Sequence, residues 1–119
     1  MRSSRIPPAQ ARLYADIRRL LSTLLRRDVA DPRIEGVVVT RIEPFHGGHR
    51  VRVWVHRAEI EDTEDCVARL NRLAPHFARE LRRALPRRRI PAIEFFWDAS
   101  IEAGNDMVRL LHMLEESGQ

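Results

Sequence analysis

A chain of 119 residues, 44% hydrophobic and 32% charged, is one domain by length and long enough to bury its own core without staples. Its 21 basic residues outnumber 17 acidic ones for a net charge of +4; that every one is arginine reads first as a composition bias and second as a fit to phosphate, and the clustered basic charge suggests a polyanionic partner. The single cysteine, Cys66, excludes an internal disulfide framework, no apolar run approaches the roughly 20 residues of a membrane span, and MRSSRIPPAQ lacks the apolar stretch of a secretory signal, so no membrane partner is expected and the cytoplasm is the expected compartment.

Met1–Pro8 reads as a flexible arm. From Ala9 onward, Leu13, Ile17, Leu20, Leu21 and Leu24 recur at helical spacing and predict a helix ending near Asp28, before Asp31-Pro32-Arg33 turns the chain. Arg12, Arg19 and Arg26 recur every seven residues on its opposite side. Beyond Gly36, Val37–Glu43 reads as a first strand, Pro44–His49 as a hairpin connection and Arg50–His56 as a second strand. Val51, Val53 and Val55 alternate with Arg50, Arg52, Trp54 and His56, which predicts one buried face and one wet face.

The acidic run Glu59–Asp65 precedes the next helix, where acids suit the macrodipole. Val67, Leu70, Leu73, Phe77 and Leu81 keep helical spacing, but Pro75 interrupts it. The pattern therefore predicts two helices, Asp65–Leu73 and Pro75–Leu85, meeting at Ala74. Ala92–Trp97 is the third strand. A last amphipathic helix is predicted over Ile101–Glu115, using Met107, Leu110, Leu111 and Leu114, with Ser100 as its N-cap. The expected core is Ile17, Leu20, Leu24, Val51, Val53, Val55, Leu70, Phe77, Leu81, Ile93 and Phe95. The order α-β-β-α-α-β with a C-terminal helix predicts an α+β domain of the type II KH arrangement over residues 9–116, with 117–119 as a short tail.

Enzymatic chemistry finds little footing. His46-Gly47-Gly48-His49 offers a metal two ligands at most and reads as a tight turn. Cys66 reads as a small, partly buried hydrophobe at a helix start, and nothing sets Asp98 or Ser100 on a strained turn beside a base. No glycine-rich nucleotide loop or zinc spacing is present. A non-enzymatic protein without cofactor or metal is expected.

The arginines are more informative. Arg79, Arg82 and Arg83 lie away from Phe77 and Leu81, and Arg87, Arg88 and Arg89 follow between Pro86 and Pro91. Glu80 is the only acid from Leu73 to Ile93. Together with Arg12, Arg19 and Arg26 these residues form the expected RNA-phosphate surface, the prolines holding the loop arginines at a set geometry. Trp54 between arginines reads either as a half-covered sheet residue, which is favoured, or as a platform on which bases stack.

Asp31-Pro32-Arg33 with the valine-rich strand behind Gly36, Leu70-Asn71, Leu85-Pro86-Arg87-Arg88-Arg89-Ile90-Pro91 and Phe95–Gly104 together resemble the ribosome-binding factor A family, in order and across nearly the whole chain. The resemblance implies a bacterial cytoplasmic assembly factor that binds the immature 30S subunit as a monomer, promotes maturation of 16S rRNA and serves in cold adaptation. It implies a KH fold without the Gly-x-x-Gly clamp, and the chain has none. It also implies a kink between the central helices at an Ala-x-Gly step. The matching positions are Ala74, Pro75 and His76, so the alanine is kept and the glycine is not. A protein-interaction module with an incidental basic face and a generic single-stranded nucleic-acid binder are the rival classes.

Overall fold

In the computed structural model, which describes residues 7–117, the elements run α1 (Pro8–Arg27), β1 (Val38–Phe45), β2 (Arg50–His56), α2 (Thr63–Ala84), β3 (Ala92–Trp97) and α3 (Ser100–Ser117). Pro8 occupies the first turn of α1, where a missing N–H costs nothing. It therefore leaves the predicted arm, while Met1–Ile6 of that arm and Gly118 and Gln119 of the predicted tail lie outside the described residues.

The strands form one sheet in the order β1-β2-β3, antiparallel between β1 and β2 and parallel between β2 and β3. β1 starts one residue later than predicted and runs two residues further, placing Pro44 opposite Val51 and Phe45 opposite Arg50. The proline is tolerated because β1 is an edge strand, whose outer amides need no partner strand. The turn itself narrows to His46, Gly47 and Gly48, all with positive φ. A register shift between Val39 and Arg41 leaves Thr40 as a bulge, and its hydroxyl bonds Trp54 O and Asp98.

Both α1 and α2 cover one face of this sheet. Ile17, Leu21, Leu24 and Leu25 of α1 and Cys66, Leu70, Phe77 and Leu81 of α2 meet Val51, Val53, Val55, Ile93 and Phe95 from below. Leu20, expected in the core, is only half-buried because α1 is turned toward Leu21 and Leu25. Cys66 is fully buried rather than partly so, and Ile34, Val37 and Val39 close the core from the segment that the Asp31 turn feeds. The outer face is less wet than predicted at one end, where His56 is buried against Trp97.

The predicted pair of central helices is a single helix. α2 continues through Ala74, Pro75 and His76 for 22 residues. Pro75 withholds one N–H from the ladder but does not end it. Its ring lies on the exposed side, while Leu70, Phe77 and Leu81 are fully buried on the other, so packing on either side of the proline holds the helix together. Asn71 adds a second anchor. Its side-chain amide donates to Phe95 O at 3.2 Å and accepts from Phe95 N at 2.8 Å, satisfying the outer edge of β3 as a neighbouring strand would.

At the start of α3, Asp98 accepts from both the amide and the hydroxyl of Ser100, so the cap expected of Ser100 comes from Asp98. Those bonds hold the Asp98 carboxyl below its usual range. Trp97 Nε1–H donates to Glu102 Oε1 at 3.0 Å. Past that turn the predicted stripe is not buried, since Met107, Leu110, Leu111 and Leu114 are each half exposed or more.

Two outcomes follow for stability. Phe77→Ala removes a fully buried ring that meets Phe95 edge-on at 5.8 Å, and should cost roughly 3–5 kcal/mol in urea unfolding. Pro75→Ala restores a helix-interior amide without removing buried surface, and should raise stability by about 1–3 kcal/mol in the same assay.

Candidate nucleic-acid interface

α1 and α2 run antiparallel on the sheet. The C-terminal end of α1 meets the middle of α2, where Arg27 lies 3.4 Å from Glu80 and Asp28 lies 2.8 Å from His76. Its N-terminal half meets the loop after α2, where Arg88 donates to Ala9 O at 3.0 Å. In the seam between them, Arg27 and Arg83 flank the single carboxylate Glu80.

Heptad spacing puts Arg12, Arg19 and Arg26 opposite the buried side of α1, and all three are exposed. On α2 the outward positions are Arg72, Pro75, Arg79 and Arg82, also exposed. Both rows point away from the sheet on the same side of the molecule, with the seam between them. The fold thus brings the predicted arginines of the two helices onto one face. Arg72 belongs to this row although the sequence pattern does not single it out. The one signal for it is its seven-residue spacing to Arg79, which the position of Pro75 obscures.

The nine predicted arginines are not equivalent. Arg12, Arg79, Arg82, Arg87 and Arg89 have no ion-pair partner among the described residues, and Arg26 reaches only the Thr23 hydroxyl at 3.5 Å. Arg19 pairs with Asp16 at 2.9 Å and Arg83 with Glu80 at 3.2 Å, both exposed contacts that a phosphate can displace. Arg88 is different. It is bonded to the α1 backbone, lies 3.8 Å from Asp16 and is two-thirds buried, so it fastens the loop. Pro86 and Pro91 limit the loop backbone, and Arg88 fixes it to the helix.

Other arginines are used internally. Arg57 donates to Pro32 O and Glu35 O, and Arg69 joins Asp65 to Asp31. Asp31 itself accepts from the Arg33 amide, then from its guanidinium, and these bonds hold its carboxyl below the ordinary range. The Asp-Pro-Arg turn is therefore a bonded hub linking α2 to the approach of β1.

On the outer sheet face Trp54 is half-buried. Its Nε1–H donates to Glu43 Oε1 at 2.7 Å, the Arg41 guanidinium lies 4.5 Å from its ring centre and Phe96 lies 5.3 Å away. Arg41 and Phe96 provide its cover among the described residues. Among the described residues no group of His, Cys, Asp and Glu is arranged to hold a metal, and no helix is long and apolar enough to cross a membrane. Burial pushes the Cys66 thiol up, away from the reactive thiolate.

Three strands under two antiparallel helices, with arginine rows on the helix face and no Gly-x-x-Gly clamp, define a KH-like α+β domain. The chain belongs to the ribosome-binding factor A family, whose model matches residues 9–111. Ribosome-binding factor A of Heliobacterium modesticaldum is 35% identical over 106 residues, covering 88% of each chain. That of Anaeromyxobacter dehalogenans is 35% identical over 112 residues, covering 92% of this chain and 80% of its own. The crystal structure of ribosome-binding factor A from Thermus thermophilus superposes with a TM-score of 0.62 at 26% identity, over 72% of this chain and 92% of that one. A Thermus thermophilus homology model of the factor, fitted into the cryo-EM map of its 30S complex, gives 0.62 at 27% identity over 76% and 96%.

Arg88→Ala should lower stability by about 1 kcal/mol through loss of its backbone bond, whereas Arg87→Ala should stay within about 0.5 kcal/mol, both read by urea unfolding. At the C-cap of α1, the Arg27 guanidinium first and the His76 ring second hold the Asp28 carboxyl down at about 2. The folded value lies below the unfolded one, so its contribution is complete above about pH 4 and is lost as pH falls through about 2. The melting-temperature gap between wild type and Asp28→Asn should be widest above about pH 4 and close toward about pH 2.

Proposed function

We propose that this chain is a non-enzymatic cytoplasmic assembly factor that binds the immature 30S subunit as one copy and favours the mature conformation of 16S rRNA. The observation that carries the reading is the pair of arginine rows, Arg12, Arg19 and Arg26 beside Arg72, Arg79 and Arg82, presented on one rigid face of a family-member domain. The 30S complex of the Thermus relative supports the choice of partner. Guanidinium groups at fixed spacing match phosphates bidentately. A rigid face bound to one rRNA conformer shifts the population toward it, and no bond need be made or broken.

Salt dependence tests this directly. Phosphate contacts release counterions, so subunit affinity should fall steeply as salt rises. Replacing Arg72, Arg79 and Arg82 by alanine should weaken co-sedimentation with 30S subunits and flatten the salt slope by about one unit for each phosphate no longer held. Exposed Glu61 and Glu64 are the controls, since Asp62 caps α2 and Asp65 holds Arg69. Alanine at either should leave binding intact or strengthen it. Wild-type affinity of the triple variant across the salt range, or preference for free oligonucleotides over subunits, would overturn the proposal.

A further inference from the structure

Beyond the arginine rows, one cleft of about 300 Å³ combines cationic and neutral donors with no carboxylate. Its walls come from three separate parts of the chain: Gln10 and Tyr14 of α1, Gly47, Gly48 and His49 of the β1–β2 turn, and Arg89 of the loop before β3. Four other clefts of comparable volume each carry an acid: Glu80, Glu35, Glu64, and the group Glu59, Glu61, Asp62 and Asp65. Such walls suit cations or mixed ligands, whereas the walls of this cleft suit an anion.

Its donors are unspent. Arg89 has no partner among the described residues, and the same holds for the Tyr14 hydroxyl and the His49 ring. In the turn, the Gly48 and His49 amides close onto Phe45 O and His46 O, at 3.2 and 3.1 Å, which leaves the Gly47 amide unengaged. Three successive positive-φ residues make this a tight left-handed turn. Gly48 has φ +85°, and a Cβ there would sit 3.5 Å from the Tyr14 hydroxyl, so the turn and the helix meet closely at the cleft.

The walls are also fixed before any ligand arrives. Arg88 fastens the loop to Ala9 O, and the Ala92 amide donates to His49 O at 3.0 Å, tying the loop to the turn. This explains why adjacent arginines differ: Arg88 is spent on position, and the backbone that carries Arg89 is thereby held at the cleft.

We infer that this cleft seats one phosphodiester group of an RNA strand, with Arg89 as its charge partner and the Tyr14 hydroxyl, the His49 ring and the Gly47 amide as hydrogen-bond donors. The inference rests on the reading of the chain as an RNA-binding factor and adds a specific subsite to it. The rows supply spread contacts with interchangeable phosphates. The cleft takes a single phosphate in a shaped site.

Two measurements test it. In amide NMR of the whole chain, inorganic phosphate should produce saturable shifts at Gly47, Gly48 and His49 that sodium chloride at equal ionic strength does not. Arg89→Ala should weaken that binding by about tenfold, as removal of a charge-assisted hydrogen bond does. Tyr14→Phe, which keeps the ring and removes only the hydroxyl, should weaken it by a smaller factor. Shifts reproduced by chloride, or unchanged in Arg89→Ala, would overturn the site. In co-sedimentation with 30S subunits, Arg89→Ala should lower affinity and reduce the salt slope by about one unit. Phosphate binding abolished in Arg89→Ala with subunit affinity unchanged would show an anion site that RNA does not use, and would overturn the inference. If the Arg72, Arg79 and Arg82 variant loses subunit binding while Arg89→Ala keeps it, the cleft fails and the RNA reading stands. Wild-type binding by both variants overturns the reading itself.

Discussion

The parallel pairing of β2 with β3 constrains everything else. Two parallel neighbours cannot be joined by a turn, so the chain must recross the sheet between His56 and Ala92, and it does so in α2. That helix must lie on one face, and α1 fills the rest of the same face because Val51, Val53 and Val55 are exposed to it along the central strand. With both helices on one side, their outward rows become coplanar neighbours. The charge surface is thus a consequence of the crossover, and α2 has to remain one rigid body from Cys66 to Leu81 to keep it.

Within that frame the arginines divide by what lies beside them. Where a carboxylate or a free carbonyl is near, the guanidinium is consumed in fastening the fold, as with Arg27, Arg57, Arg69 and Arg88. On the outer sheet face, Arg41 and Arg52 lie 4.5 Å from the rings of Trp54 and Phe45 and cover them. Among the described residues, only on the outer helix rows and in the loop before β3 do arginines remain without partners. One residue type therefore serves as tether, cover and contact, and its role is set by its neighbours.

The sheet, the long first helix and most of the core were legible because alternation in Arg50–His56 and helical spacing in α1 are strong, local signals. The remainder depended on partners distant in sequence. Pro44 reads as a loop residue until β1 is known to be an edge strand. Pro75 reads as a break until Phe77 and Leu81 are seen packed on the sheet beyond it. Leu20 and Leu25 cannot be ranked from α1 alone, since the neighbouring helix decides which is covered. The arginine surface was legible as composition, but the distinction between Arg88 and its neighbours was not, because Ala9 and Asp16 lie some seventy residues away.

The three walls around Tyr14, His49 and Arg89 come from the first helix, the hairpin and the last loop before β3. The hairpin closes over a few residues, but the loop reaches it only after the long recrossing is complete, which is the slow, entropically costly step in such topologies. An anion seated there is therefore linked to the integrity of the whole domain, since it favours only the chain in which all three segments have met.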